Sequence, residues 1–165
     1  MSPMPHSNRS TTASSGKAAN AQRTYSQHGA MAAWAAGASG SGVTIGVIDS
    51  GIDTSNPEFS GRISSASADI AGSRGLTNPD DDHGTMVAMV AAGARNGVGV
   101  MGMAFNATIA AMRVDAPGTC ASSAGCDFLD ANIATGINNA VAAGAKVINL
   151  SLGGSSASNS VTRAI

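Results

Sequence analysis

Two short segments of this chain hold residue types suited to acid–base chemistry. Residues 43–51 (VTIGVIDSG) run apolar and β-branched up to Asp49, and Asp82-His83-Gly84-Thr85 sets a histidine 34 positions further on, ahead of a run of small residues. A carboxylate that accepts a hydrogen bond from imidazole Nδ1–H fixes the ring's tautomer and stabilises the imidazolium formed when the ring takes up a proton. Such a pair suits a general base that must charge and discharge during turnover. Alone, an Asp-Ser-Gly tripeptide more often closes a strand or opens a turn. The histidine in its Gly-Thr setting raises Asp49 above that role, since Gly84 permits a tight turn and Thr85 can cap a helix. His6 and His28 lie near the amino terminus and read as surface residues. A third segment, Asn149-Leu150-Ser151-Leu152-Gly153-Gly154, has two glycines that let a ligand's backbone come close, and an extended peptide can pair with such an edge. An ordinary strand exit is its plainer reading.

These segments need elements to place them. Residues 43–48 read as a strand buried on both faces of a parallel sheet. Further strands are expected over 66–70 (short), 108–114 and 146–150. Helices are expected over 29–36, anchored by Trp34, over 85–94, ended by Asn96-Gly97, and from a cap at Asp127 or Asp130 to about Ala143, stopped by Gly144. A last helix begins near Ser158. Strands alternating with helices imply βαβ units around a parallel sheet, an α/β fold whose strands gather ligand-binding groups at their carboxyl ends. Residues 1–24 are polar and without periodicity and read as a disordered leader, with one domain over 25–165.

Bulk composition narrows the function classes. With 12% charged residues and a net charge of -1, nothing favours nucleic acid or an anionic membrane as a partner. Hydrophobic residues make up 43% but aromatics only 3%, so the core must be built from aliphatic and small side chains. No apolar run is long enough to span a membrane, and no signal peptide is visible in residues 1–20. Cys120 and Cys126, separated by five residues, are either a small disulfide loop in an exported protein or two unrelated thiols. Asp80-Asp81-Asp82 reads as a solvated acidic loop rather than a metal site, because consecutive carboxylates point apart and the alternating calcium-loop pattern is absent.

In order and spacing, Val-Ile-Asp-Ser-Gly-Ile, Asp-His-Gly-Thr and Val-Ile-Asn-Leu-Ser-Leu-Gly-Gly together resemble the subtilases, the subtilisin-like serine peptidases. The resemblance covers residues 42–165 and implies a subtilisin-like three-layer fold with a parallel central sheet, here truncated. It implies serine-type endopeptidase activity with Asp49 as charge-relay aspartate and His83 as general base. Ser151, Leu152, Gly153 and Gly154 would line the specificity pocket and pair with a peptide or protein substrate. No cofactor is required, and calcium is left open on family grounds alone. Residues 56–63 and 94–99 look most like subtilases of bacterial autotransporters, which implies a secreted or cell-surface location. Two departures stand out. Met89 replaces a glycine usual after the His-Gly-Thr segment, with overpacking as the expected consequence. The nucleophilic serine, its Gly-Thr-Ser context and the oxyanion asparagine are not among the 165 residues. The 165-residue chain alone is therefore expected to be inactive, and a truncated subtilase that binds peptides without cutting them is the alternative reading. A nucleotide-binding fold is disfavoured, because the glycine-rich stretch at 37–42 precedes its strand instead of following it.

Overall fold

The computed structural model describes residues 24–76, 79–121, 125–154 and 158–165. The chain divides into two compact units, Met1–Ala38 and Ser39–Ile165. The leader expected over 1–24 lies, apart from Thr24, outside the described residues. In the first unit, helix α1 (Ala30–Ala35) follows Gly29 in the left-handed region, and the Tyr25 and Trp34 rings meet at 5.1 Å.

The second unit is built on strands β1 (Thr44–Asp49), β2 (Ala68–Asp69), β3 (Thr108–Arg113) and β4 (Ala145–Leu150), all parallel, in the spatial order β2-β3-β1-β4. Helix α2 (His83–Ala92) precedes β3, α3 (Asp130–Ala142) precedes β4, and α4 (Asn159–Ala164) follows it. Alternation along the strands divides their side chains between two faces. Ile45, Val47, Ile109 and Ala111 pack with Ala88 and Ala92 of α2 on one face. Ile48, Ala110 and Met112 pack with Ile133, Ile137 and Ala140 of α3 on the other. The result is the expected three-layer arrangement. Small residues on both helices set their approach to the sheet, so few aromatics are needed to fill it.

Several boundaries differ from the sequence reading. Helix α2 starts at His83, and its N-cap is Asp82, which makes no side-chain capping bond. Thr85 is not the cap: its Oγ1 is turned into the interior and accepts the Asp53 N–H at 2.9 Å. The helix stops at Gly93 rather than at Asn96-Gly97, because residues 102–104 come alongside and take over its last carbonyls. Gly102, Met103 and Ala104 donate their N–H groups to the carbonyls of Gly93, Val90 and Ala91. Neither Asp127 nor Asp130 caps α3; Leu129 is the N-cap and Asp130 stands in the first turn, where a negative charge is favourable. The stop at Gly144 is as expected, with φ +81°. Met89 lies half-buried against the core formed with β1 and β3. Cys120 and Cys126 form a disulfide.

Candidate active site

The parallel sheet delivers Asp49 at the carboxyl end of β1 and opens α2 beside it. Asp49 is 1% exposed, and its Oδ1 accepts the Ser50 N–H at 2.8 Å. His83 Nδ1 lies 2.9 Å from Asp49 Oδ1 and 3.1 Å from Oδ2. The two residues singled out in the sequence are therefore joined, and the remaining ring nitrogen, Nε2, is the one left to act on a reacting group. Ser50 has one hydroxyl proton and two acceptors at 3.2 Å, Asp49 Oδ1 and Asp81 Oδ2, while its oxygen receives the Gly84 N–H at 3.3 Å.

Gly84 owes its place to close approach rather than to a special backbone angle. A Cβ built there would stand 2.2 Å from the Gly51 carbonyl oxygen and 3.1 Å from Asp49 Cβ. Gly51 is itself at φ +95°, a region side chains avoid, and its turn passes over the stem of Arg113. Two glycines thus let the start of α2 press onto the end of β1.

Two influences act on the ring in opposite directions. Position at a helix N-terminus disfavours the imidazolium, whereas a hydrogen-bonded carboxylate favours it. The carboxylate wins: the hydrogen bond that His83 donates to Asp49 first, against some desolvation and with the charges of Asp49 and Asp81 added, raises His83 above the ordinary 6.5. Because the folded state favours the charged ring, the stabilisation is full below the unfolded imidazole's midpoint. It fades as pH rises through the higher folded-state midpoint. The melting-temperature gap between wild type and His83→Gln is accordingly expected to narrow from about pH 6 to about pH 9. A gap that widens over that range would contradict the assignment of the charge-stabilising contact. With the His83 side chain 46% exposed, the effect is modest.

His83 and Met86 share a cleft of about 410 Å³ with Phe128, Ser151, Leu152 and Gly153. Leu152 and Gly153 also border an adjoining cavity of about 480 Å³, floored by Ile133, Leu150 and Val161, and Gly154 lies there rather than beside His83. The segment after β4 is therefore brought to the histidine through Ser151, Leu152 and Gly153. The Cys120–Cys126 disulfide puts Cys126 on the wall of both spaces.

The acidic loop is not merely solvated. Asp80 Oδ2 accepts from Arg113 Nη2 at 2.7 Å, and Asp81 Oδ2 accepts the His83 N–H at 3.2 Å. Arg113 and Asp115, both buried, pair at 2.8 Å, and Arg74 joins Asp115 and Asp69 at 2.7 and 3.1 Å. Sequence reasoning missed this network. An Arg-Val-Asp exit from a strand gives no local sign that its charges turn inward. Among the described residues no group of three or more His, Cys, Asp or Glu could hold a metal ion, and no helix is long and apolar enough to cross a membrane.

Comparison with known proteins gives a consistent result. Residues 40–165 match the Subtilase family of peptidases. Subtilisin E of Bacillus subtilis is 38% identical over 140 residues, covering 82% of this chain and 33% of that protein. The extracellular serine protease of Serratia marcescens is 44% identical over 80 residues, 47% of this chain and 8% of that one. Among solved structures, fervidolysin from Fervidobacterium pennivorans, a keratinolytic enzyme related to subtilisin, superimposes with a TM-score of 0.66 at 31% identity, over 77% of this chain and 19% of its own. The chain thus spans from about a third to just under half of the length of the subtilisins it matches. By its sheet, its motif order and this match over residues 40–165, the chain belongs to the subtilase family.

Proposed function

We propose that residues 25–165 are the amino-terminal portion of the catalytic domain of a serine endopeptidase. In this reading Asp49 orients and stabilises His83, and His83 Nε2 removes the proton from a serine hydroxyl supplied by sequence outside these 165 residues. Ser151, Leu152, Gly153 and Gly154 form the wall along which a peptide or protein substrate extends. The observation that carries the reading is the 2.9 Å contact between a buried carboxylate and a half-exposed imidazole, facing one cleft with Ser151 and Gly153. Without nucleophile and oxyanion donor, acyl transfer has no covalent route in residues 1–165 alone.

A secreted or cell-surface location accords with the disulfide and with the likeness to an extracellular protease of Serratia marcescens. The autotransporter branch rests on residues 56–63 and 94–99. The family chemistry needs no cofactor. Calcium, left open on family grounds, meets no cluster of three acidic or other ligating side chains among the described residues.

The test is a fluorophosphonate probe, which reacts with an activated serine. The full-length protein, extended through the segment that carries the serine, is expected to label in a His83-dependent way, and the 165-residue chain to stay unlabelled. An extended wild-type chain that folds but never labels, beside an authentic subtilase that does, would end this reading. The second reading, a peptide-binding fragment, is supported by the cleft and adjoining cavity being already lined by residues of 126–133, 150–154 and 158–162 with Asp81, His83 and Met86.

A further inference from the structure

Arg113 and Asp80 take no part in the chemistry above, yet they tie the strand end that holds Asp49 to the loop that leads into His83. In the parallel register Arg113 stands directly opposite Asp49. It is 1% exposed, and its stem runs under Gly51, whose added Cβ would meet Arg113 Cδ at 3.0 Å. Arg113 Nε donates to Asp115 Oδ1 at 2.8 Å, and Nη2 donates to Asp80 Oδ2 at 2.7 Å. Asp115 is fully buried and held on its other side by Arg74 at 2.7 Å.

A guanidinium is a planar fork with fixed angles between its N–H groups. Once a buried carboxylate locks one arm, the direction of the other is set as well. Here Asp115 takes Nη2 as well as Nε, at 3.3 Å to its Oδ2, and the same Nη2 also meets Asp80, three residues before His83. Between them Asp81 accepts from the Ser50 hydroxyl and from the His83 N–H. The loop is therefore held at two successive carboxylates, one on β3 through Arg113 and one on the Asp49 turn through Ser50.

We propose that Asp80 and Arg113 are positioning residues for His83: the Arg113 fork, locked by Asp115, fixes the loop through residues 80–83 so that His83 Nδ1 meets the Asp49 carboxylate. The proposal rests on His83 being the general base. Its test reads the ring itself rather than hydrolysis, so a protein with an intact clamp but no peptidase activity would be recognised as such.

A salt bridge that only stabilises the fold makes a different prediction. The ring would stay in place, and only the altered charge would move its titration. Loss of the Asp80 anion would then lower the His83 midpoint, and loss of the Arg113 cation would raise it. Under the clamp both losses lower it, because both let the ring slip from Asp49. The titratable groups facing the ring are Asp49 from β1 and Asp81 from the loop, with Asp80, Arg113 and Arg74, whose Nη1 lies 3.6 Å from Asp80 Oδ2, behind them.

The experiment is an NMR titration of His83 in the 165-residue chain, with the resonance assigned by His83→Ala. Asp80→Ala and Arg113→Met are each expected to lower the midpoint by about half a pH unit or more. The double variant should go no further than either alone, as two parts of one clamp must. Arg113→Lys, which keeps the charge and loses the fork, should fall with Arg113→Met. Because Arg113 is buried, Arg113→Met can fail to fold. Arg113→Lys then decides the matter, because it keeps the charge and so leaves the midpoint unmoved unless the fork itself holds the loop. Asp80→Ala, at a side chain 43% exposed, lowers the midpoint under either reading and serves only to overturn the clamp if it does not. A midpoint that rises in Arg113→Met, or that stays at the wild-type value in Asp80→Ala or Arg113→Lys, overturns the proposal.

Discussion

Replacing Asp49 by asparagine is expected to lower kcat of the full-length enzyme by about ten-thousand-fold, with little change in KM. The amide is nearly the size of the carboxylate, so the buried site keeps its shape and the Ser50 N–H keeps an acceptor. What changes is the ring. An amide NH₂ directed at His83 makes Nδ1 an acceptor and moves the ring proton to Nε2, the nitrogen that must be free to take the serine proton. Even with the amide oxygen toward Nδ1, no charge remains to stabilise the imidazolium as it forms. The loss therefore appears in the chemical step rather than in binding. In the 165-residue chain the same variant should bring the raised His83 midpoint back toward or below 6.5, since its largest cause is removed. A loss of activity under tenfold would show that Asp49 is a structural carboxylate.

Gly84→Ala is the second large effect, and it acts through backbone. A Cβ at 2.2 Å from the Gly51 carbonyl oxygen cannot be accommodated by turning a side chain, because the obstacle is main chain. Relief by moving Gly51 is blocked, since that turn is at φ +95° and rests on Arg113. Relief by moving α2 pulls His83, its first residue, away from Asp49. We expect a destabilisation of about 2–3 kcal/mol or more, in the range of severe overpacking. This should lower the melting temperature of a domain this size by roughly 5–10 °C. A melting temperature within a degree of wild type would mean that the helix start yields freely.

Much of this was legible in the sequence, and the parts that were not share a cause. β1 and β3 announce themselves because strands covered on both faces must be almost continuously apolar. β4, at the sheet edge with Val147 55% exposed, is marked only by its short apolar run after Gly144. Asp49 and His83 could be read because strand end and helix start are local features with local signatures. Arg113 could not, because apart from Asp115 two residues on, its partners arrive from loops 33 and 38 residues away at Asp80 and Gly75. Thr85 has the right type and place for a cap, yet it faces Asp53, a choice made by tertiary contact. The end of α2 was misplaced for the same reason: Asn96-Gly97 can stop a helix, but residues 102–104 reach its last carbonyls first. Of the third motif, Ser151 to Gly153 reach the histidine's cleft and Gly154 does not, a difference that hangs on the path of the loop after β4.

The order of the sheet has a consequence for how the site comes into being. β1 lies between β3 and β4, so its two neighbours are residues 108–113 and 145–150. Such distant pairings require long loops to close before any contact rewards them, which makes assembly slow relative to a helical or hairpin-rich chain. As the polypeptide leaves the ribosome, Asp49 and His83 are both present well before the strands that flank β1. Until those strands dock, the carboxylate is hydrated and the imidazole is free to wander. The residues of the site are thus made before the strands that hold them, and the site forms only once β3 and β4 have docked on β1.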